Sequence, residues 1–206
     1  MTGPRLLLKS RRTAPLLLAA VAVAVASREF GGQHLLIGAT QPVPLPWAAL
    51  LPAITAYLTA VAAWSTLPLQ EHLAVHRTDR YDLLHLTTAA LIGATLVAWA
   101  AQPLTGTITT QGAVRNYLGL LGYSLIGIAV FHPTMGWTIP TTLLTTGLVT
   151  AGTRTNLPLL DWPARPDNNP TSWTISTTIL LTGLATFTSH NRRRALAART
   201  ARTQPE

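Results

Sequence analysis

The amino-acid sequence predicts an all-α, polytopic integral membrane protein with about six transmembrane helices. Of the 206 residues, 48% are hydrophobic and only 11% are charged, whereas about 25% of the residues in a typical soluble domain are charged. The charges gather in a few clusters. The apolar stretches between them approach the ~20 residues that a helix needs to cross ~30 Å of hydrocarbon. One helical membrane domain therefore accounts for almost the whole chain.

The first predicted helix is the apolar run from Thr13 to Ser27, which follows four basic residues in the first twelve. A cleaved signal peptide is the alternative, because the run is short and ends in small residues such as Ala24 and Ala26. Both interpretations stay open at this point, although a retained helix is favoured.

Helices two and three are predicted at about Trp47 to Leu69 and about Leu83 to Ala101. Pro52 lies within the second run, and proline is tolerated in membrane helices when neighbours satisfy the freed carbonyl. A polar cluster separates the two runs and is too charged to lie in hydrocarbon. Its members are Glu71, His72, His76, Arg77, Asp79, Arg80 and Asp82.

Three further helices are predicted at about Val114 to Phe131, Thr138 to Gly152 and Ser172 to Ser189. The proline-rich stretch from Arg154 to Thr171 is predicted to be an ordered loop or surface cap outside the bilayer. The chain thus divides into a basic cytoplasmic segment (1–12), a six-helix transmembrane domain (13–189) and a basic cytoplasmic tail (190–206).

The distribution of Lys and Arg predicts the orientation of these helices. Under this topology eleven basic residues lie on one side of the membrane and four on the other. Because cytoplasmic loops are enriched in Lys and Arg, both ends of the chain are expected in the cytoplasm of a cell whose plasma membrane holds the protein. Orientation explains the net charge of +8 better than nucleic-acid binding does, so no nucleic-acid partner is expected.

Motifs for catalysis and nucleotide binding are missing from the sequence. A phosphate-binding loop requires a lysine after its glycines, and the only lysine is Lys9. The serine-hydrolase elbow and the zinc motif H-E-x-x-H are likewise absent. The sequence therefore predicts no enzyme and no cofactor, and an ATP-driven function would require an ATPase on another chain.

The nearest approach to a metal site is Glu71, His72 and His76, whose histidines would share one face of a helix. Structural zinc sites use four ligands and catalytic sites three. His85 would supply a third imidazole only if the helix were unbroken or folded back. A solvated polar loop is the favoured interpretation, and no metal is predicted.

The fourth predicted helix carries two notable features. Gly119, Gly122 and Gly127 allow close helix packing, against either the same chain or a second copy. Arg115 and Asn116 lie at its outer end, where long polar side chains extend toward the headgroups and anchor a helix. Alternatively, the two residues line an outer vestibule and contact an anionic group of a substrate.

These features together resemble the membrane-spanning subunits of ABC-2-type ABC exporters, in their small version. The resemblance covers most of the chain. It consists of six predicted helices with both ends inside, a basic first segment, the charged loop from Glu71 to Asp82, and the stretch from Arg115 to Gly122 followed by Pro140 in the next helix.

The resemblance implies a partner and a role for the charged loop. In that family the loop forms a short helix that docks on the ATPase, and the corresponding residues here are Glu71, His72, Arg77, Asp79, Arg80 and Asp82. Two such subunits, identical or not, would pair with two ATPase chains. The chain is shorter than usual and its outer loops are short, so a large path for hydrophilic substrates is not expected.

A non-transporting membrane subunit is the rival hypothesis. Such an anchor, immunity or assembly subunit would act by binding a partner within the bilayer. It requires only apolar helices and packing faces, which the sequence supplies.

Overall fold

A computed structural model describes residues 12–30, 34–37, 43–46, 50–64, 78–102, 109–152 and 162–200. Within these ranges the chain forms six α-helices, as predicted, and one short β-hairpin. The helices are α1 (Thr13–Phe30), α2 (Leu51–Ala63), α3 (Thr78–Ala101), α4 (Thr110–Val130), α5 (Thr138–Gly152) and α6 (Pro170–Thr200). Single turns of 3-10 helix, Pro133–Met135 and Trp162–Ala164, precede α5 and α6.

Several helices extend beyond their predicted bounds. Helix α3 begins at Thr78, so Asp79 and Asp82 lie in its first turns, where the helix dipole favours carboxylates. Helix α4 begins at Thr110, because the Thr109 side chain accepts a hydrogen bond of 3.3 Å from the Gly112 backbone N–H and so caps the helix. Helix α6 continues to Thr200 through alanines and arginines, which are strong helix formers.

Helix α2 is shorter than the predicted run. It has 13 residues, from Leu51 to Ala63, and Trp64 leaves the helix in an extended conformation with ψ 128°. Pro52 lies in the first turn, where its missing N–H costs no helical hydrogen bond. At 1.5 Å per residue α2 is about 20 Å long, which is less than the thickness of hydrocarbon. It packs against α1, α3 and α4, and most of its residues are buried.

The hairpin between α1 and α2 was not predicted from the sequence. Strand β1 (His34–Ile37) pairs antiparallel with β2 (Val43–Pro46), so that Leu36 lies opposite Pro44. The prolines of this stretch had indicated an irregular loop. A two-stranded ribbon has only edge strands, however, and proline is tolerated at sheet edges.

Helix α4 lies at the centre of the molecule, in contact with α2, α3, α5 and α6. Its closest neighbour is α6, because Gly122 and Gly183 bring the two backbones together. A Cβ atom added at Gly183 would lie 2.7 Å from the Cα atom of Gly122. Of the predicted close-packing residues, Gly119 and Gly122 therefore face α6 of the same chain, whereas Gly127 faces Gly136 in the turn before α5.

Long-range hydrogen bonds show how the first helices run relative to one another. The His85 Nε2 atom of α3 is 3.0 Å from the Ala62 carbonyl oxygen, so α3 begins where α2 ends. The Arg28 guanidinium donates to the Trp99 carbonyl oxygen at 3.0 Å, so α1 and α3 end at the same level. Helices α1, α2 and α3 therefore alternate in direction.

The last helices continue this alternation. The Ser176 hydroxyl donates to the Arg115 carbonyl oxygen at 2.6 Å, which places the beginnings of α4 and α6 together. The His190 ring of α6 is centred 5.8 Å from the ring of Trp64, at the opposite end of the bundle. We call the end with Trp64, His190 and the arginines of α6 the basic end. The end covered by residues 162–169 is called the capped end.

Three of the described helices are long and apolar enough to cross a membrane: Thr13–Phe30, Asp82–Ala101 and Thr110–Val130. The first and second have large exposed apolar side chains, among them Leu18 at 70%, Leu84 at 64% and Leu91 at 64% exposed. Exposed apolar surface on this scale marks contact with a membrane or a partner. The fold is therefore consistent with membrane association.

Candidate functional site

Arg115 is the most unusual residue of the capped end, because this charged side chain is completely buried (0% exposed). Its guanidinium donates to three backbone carbonyl oxygens of the loop before α6: Pro166 at 2.9 Å, Arg165 at 3.1 Å and Pro163 at 3.3 Å. A buried charge is tolerated only when hydrogen bonds replace its hydration, and the loop supplies these bonds.

Asn116 completes the connection between α4 and this loop. Its side-chain oxygen accepts from Arg115 Nε at 3.2 Å, and its amide nitrogen donates to the Pro163 carbonyl oxygen at 2.9 Å. Trp162 is buried against Gly119, where an added Cβ atom would lie 2.8 Å from the indole ring. The two polar side chains and the indole together hold residues 162–166 over the beginning of α4.

Asp167 extends the cap toward the start of both helices. Its carboxylate accepts a hydrogen bond from the Thr109 hydroxyl. The indole N–H of Trp173 donates to the Asp167 carbonyl oxygen at 2.9 Å. The loop is therefore attached to α4 and α6 alike, as the prediction of an ordered cap over 154–171 anticipated for its described part, 162–169.

Arg115 and Asn116 have partners that the sequence did not indicate. The pair donates to carbonyl oxygens of its own chain, and its roles as a headgroup anchor or as part of an outer vestibule stay predictions. The partners are backbone atoms of residues 163–166. Side-chain patterns therefore gave no sign of this contact.

A polar junction at mid-height joins three helices. The Tyr117 hydroxyl of α4 donates to the Ala90 carbonyl oxygen of α3 at 3.1 Å and lies 3.1 Å from the Thr59 hydroxyl of α2. Thr59 in turn donates to the Thr55 carbonyl oxygen. An added Cβ atom at Gly93 would lie 2.8 Å from the Tyr117 ring. The hydroxyls are thus satisfied by the protein, and the junction is structural.

A cavity of about 720 Å³ opens at the basic end. It lies between the beginning of α1, the end of α2, the end of α4 with the turn that follows, and α6. Cationic, imidazole and aromatic side chains line it together with apolar ones. The polar and aromatic members are Arg12, Tyr57, Trp64, Phe131, His132, Thr134, His190 and Arg194.

Trp64 is the centre of the aromatic and basic contacts in this cavity. The Arg194 guanidinium carbon lies 4.1 Å from the centroid of the indole, within the range of a cation–π interaction. The rings of His132 and His190 are centred 6.1 Å and 5.8 Å from it. Burial, together with the charges of Arg194 and Arg193, lowers the pKa of His190. Arg12 and Arg194 are the charged side chains among the described residues that line the cavity, and both are cationic.

The predicted coupling residues are only partly visible. Glu71, His72 and Arg77 lie outside the described residues, as does His76 of the weighed metal cluster. Asp79, Arg80 and Asp82 lie in the first turns of α3, beside the end of α2. The ATPase-coupling role of these residues stays a prediction. Within the described ranges no three His, Asp or Glu side chains group as metal ligands.

Comparisons with known proteins give no assignment. No protein-family model matches the chain, and neither the curated proteins nor the solved structures contain a match. Function therefore has to be argued from the two ends of the bundle.

Proposed function

We propose that this chain is the membrane-spanning subunit of an ATP-driven exporter of the ABC-2 type, with ATP hydrolysed by a separate ATPase chain. The observation that carries the proposal is the difference between the two ends of the bundle. The basic end opens into a cavity of about 720 Å³, whereas Arg115 and Trp162 close the capped end. A subunit that takes up substrate from the cytoplasm requires this asymmetry in its inward-facing state.

The orientation belongs to the same proposal. The alternating helices bring Arg12 and the arginines of α6 to one end, and the distribution of eleven basic residues against four supports a cytoplasmic location for that end of a six-span protein. Helices α2 and α5 are short, with 13 and 15 residues. Neighbouring helices surround α2, so it does not need the full length of a lipid-exposed span.

Threonine chemistry supports α6 as one of the spans. The apolar part of this helix, 172–189, is rich in threonine, which lowers its hydropathy. The Thr182 and Thr186 hydroxyls donate to the carbonyl oxygens four residues earlier, at 2.9 Å and 2.8 Å, and Thr188 does the same at 2.8 Å. Hydroxyls bonded to their own helix do not need water, so exposed threonines on α6 are compatible with lipid.

The start of α3 is the candidate ATPase contact. Asp79, Arg80 and Asp82 lie in its first turns, at the basic end and next to the end of α2. A subunit without a nucleotide site responds to ATP only through contact with another chain. Alternating charges at the membrane surface offer such a contact, because electrostatic complementarity sets the register and specificity of an interface.

The proposal is tested by purification of the tagged chain from its native membrane in mild detergent, with identification of the chains that accompany it. An ATPase should co-purify. The double variant Arg77→Glu, Arg80→Glu should reduce its yield, because like charges across an interface cost several kcal/mol. Arg193→Glu on the exposed part of α6 is the matched control and should leave the association intact.

Two outcomes separate the proposal from its rival. If the double variant retains the ATPase as well as the control does, the start of α3 is not the coupling site. If no ATPase accompanies the native chain, the exporter proposal fails. The chain is then better described as a non-transporting membrane subunit, which the backbone contact between Gly122 and Gly183 favours because it leaves no path between α4 and α6.

A further inference from the structure

The cavity at the basic end has the size of a binding site. Small-molecule sites occupy about 300–1,000 Å³, and this cavity of about 720 Å³ lies within that range. In the described part of the capped end, by contrast, the Trp162 indole packs directly against Gly119.

The charged groups of this cavity have one sign. Arg12 at the start of α1 and Arg194 of α6 approach it from two different helices. Among the described residues that line it, none is acidic. Cations collected from distant parts of the chain without a lining carboxylate are suited to an anionic ligand.

The Arg194 side chain is held in a geometry that suits a phosphate. Its guanidinium carbon lies over the indole of Trp64, 4.1 Å from the ring centroid, and this cation–π contact holds the group at the cavity. A guanidinium carries N–H donors in a planar fork that binds phosphate through paired hydrogen bonds. The indole contact thus positions a phosphate-binding group in the lining.

The remaining lining of the cavity is apolar. Leu16, Ile128 and Phe131 contribute side chains to the same space. The cavity also lies where the apolar part of α6 ends and its arginines begin. An anion with an attached hydrocarbon chain would match both the cationic and the apolar side chains of the lining.

We propose that this cavity binds the phosphate group of an anionic amphiphile, with Arg12 and Arg194 contacting the phosphate and the apolar side chains contacting the hydrocarbon. A membrane lipid headgroup and a free phosphate ester share this chemistry. The proposal goes beyond the exporter assignment, because it requires no ATPase and remains valid for a non-transporting subunit.

The test is native mass spectrometry of the purified full chain with added short-chain phosphatidylglycerol, and with phosphatidylcholine as the zwitterionic comparison. Phosphatidylglycerol should bind more tightly. Arg194→Gln should weaken it about tenfold or more, since a hydrogen bond to a charged group contributes ~1.5–3 kcal/mol. Arg12→Gln should also weaken binding. Arg12 is exposed, so this variant tests the site even if Arg194→Gln does not fold.

Arg193→Gln is the matched control, because Arg193 is exposed on the same helix turn and carries the same charge. Its effect should stay below about fivefold, as for an exposed charge pair. Equal weakening by Arg193→Gln and Arg194→Gln would overturn the proposal, as would equal binding of the two lipids. Glycerol 3-phosphate distinguishes the sources: competition at similar concentration would support a free phosphate ester, and binding of the lipid alone would support a headgroup.

Discussion

Replacement of Arg115 by methionine should destabilise the capped end more than any other single change there. Methionine removes the donors that now reach the carbonyl oxygens of Pro163, Arg165 and Pro166. Each hydrogen bond to a charged group contributes about 1.5–3 kcal/mol. The contributions are not additive, and removal of one partner from a buried ionic network typically costs ~3–5 kcal/mol.

The cost is measurable as a change in thermal stability in detergent. For a chain of this size 1 kcal/mol corresponds to about 2–4 °C, so the Arg115→Met variant should melt ~6–20 °C below the native protein. Hydrogen exchange at residues 162–169 should increase at the same time, because the loop loses its attachment to α4. The melting temperature of the Arg115→Lys variant should lie between those of the native protein and the Arg115→Met variant. An ammonium group keeps the charge but cannot reproduce the planar fork of the guanidinium.

Arg28→Gln is the control for this prediction. Arg28 belongs to the same end of the bundle, stacks on Trp99 at 4.6 Å and donates to one carbonyl oxygen, but it is not buried. Its loss should cost less than about 1 kcal/mol. Equal melting temperatures for the Arg115→Met and Arg28→Gln variants, or unchanged exchange at the loop, would refute the argument that Arg115 holds the cap.

Four further predictions concern other parts of the molecule. Gly122→Val should separate α4 from α6 and lower the melting temperature by several degrees, and normal melting would contradict backbone contact at that point. Tyr117→Phe should lower the free energy of unfolding by about 1 kcal/mol, because the hydrogen bonds of the hydroxyl are lost. The same thermal unfolding experiments measure this change. The lowered pKa of His190 means that the folded chain resists protonation there. The contribution of neutral His190 to the free energy of unfolding should thus be fully present above the unfolded pKa of about 6.5 and be lost as the pH falls below that value. His190→Gln should reduce this dependence of stability on pH. Reporter fusions after Glu206 should report cytoplasm and fusions within 161–167 the outside; an external C-terminus would reverse the proposed orientation.

Much of the helical framework could be predicted from the sequence, because apolar runs between charge clusters have a direct physical cause. The early end of α2 could not. Trp64 continues an apolar run, and at the end of the helix it contacts Arg194, a residue far away in the chain. The hairpin was missed for a related reason, since its prolines are typical of loops and its pairing depends on a second strand.

The two ends of the bundle illustrate a different limit of prediction from the sequence. Arg115 was noticed because a charge at a helix end is unusual, but its partners are carbonyl oxygens, which every residue carries. The sequence therefore does not indicate which carbonyl oxygens Arg115 contacts. At the basic end, Arg12 and Arg194 were assigned to orientation alone. Their convergence with His132 and His190 arises from helix packing, because the beginning of α1 and the basic part of α6 both reach the same cavity.

The short length of α2 has an electrical consequence once the chain lies in a bilayer. Helix α2 is about 20 Å long, and the cavity begins where it ends, at Val61 and Trp64. In the proposed orientation, water that enters the cavity would carry the cytoplasmic potential inward, so that the voltage across the membrane would fall over a thinner layer of protein. A full elementary charge moved through 100 mV gains or loses about 2.3 kcal/mol. A ligand charge that leaves this cavity toward the capped end would cross most of that voltage within the span of one short helix.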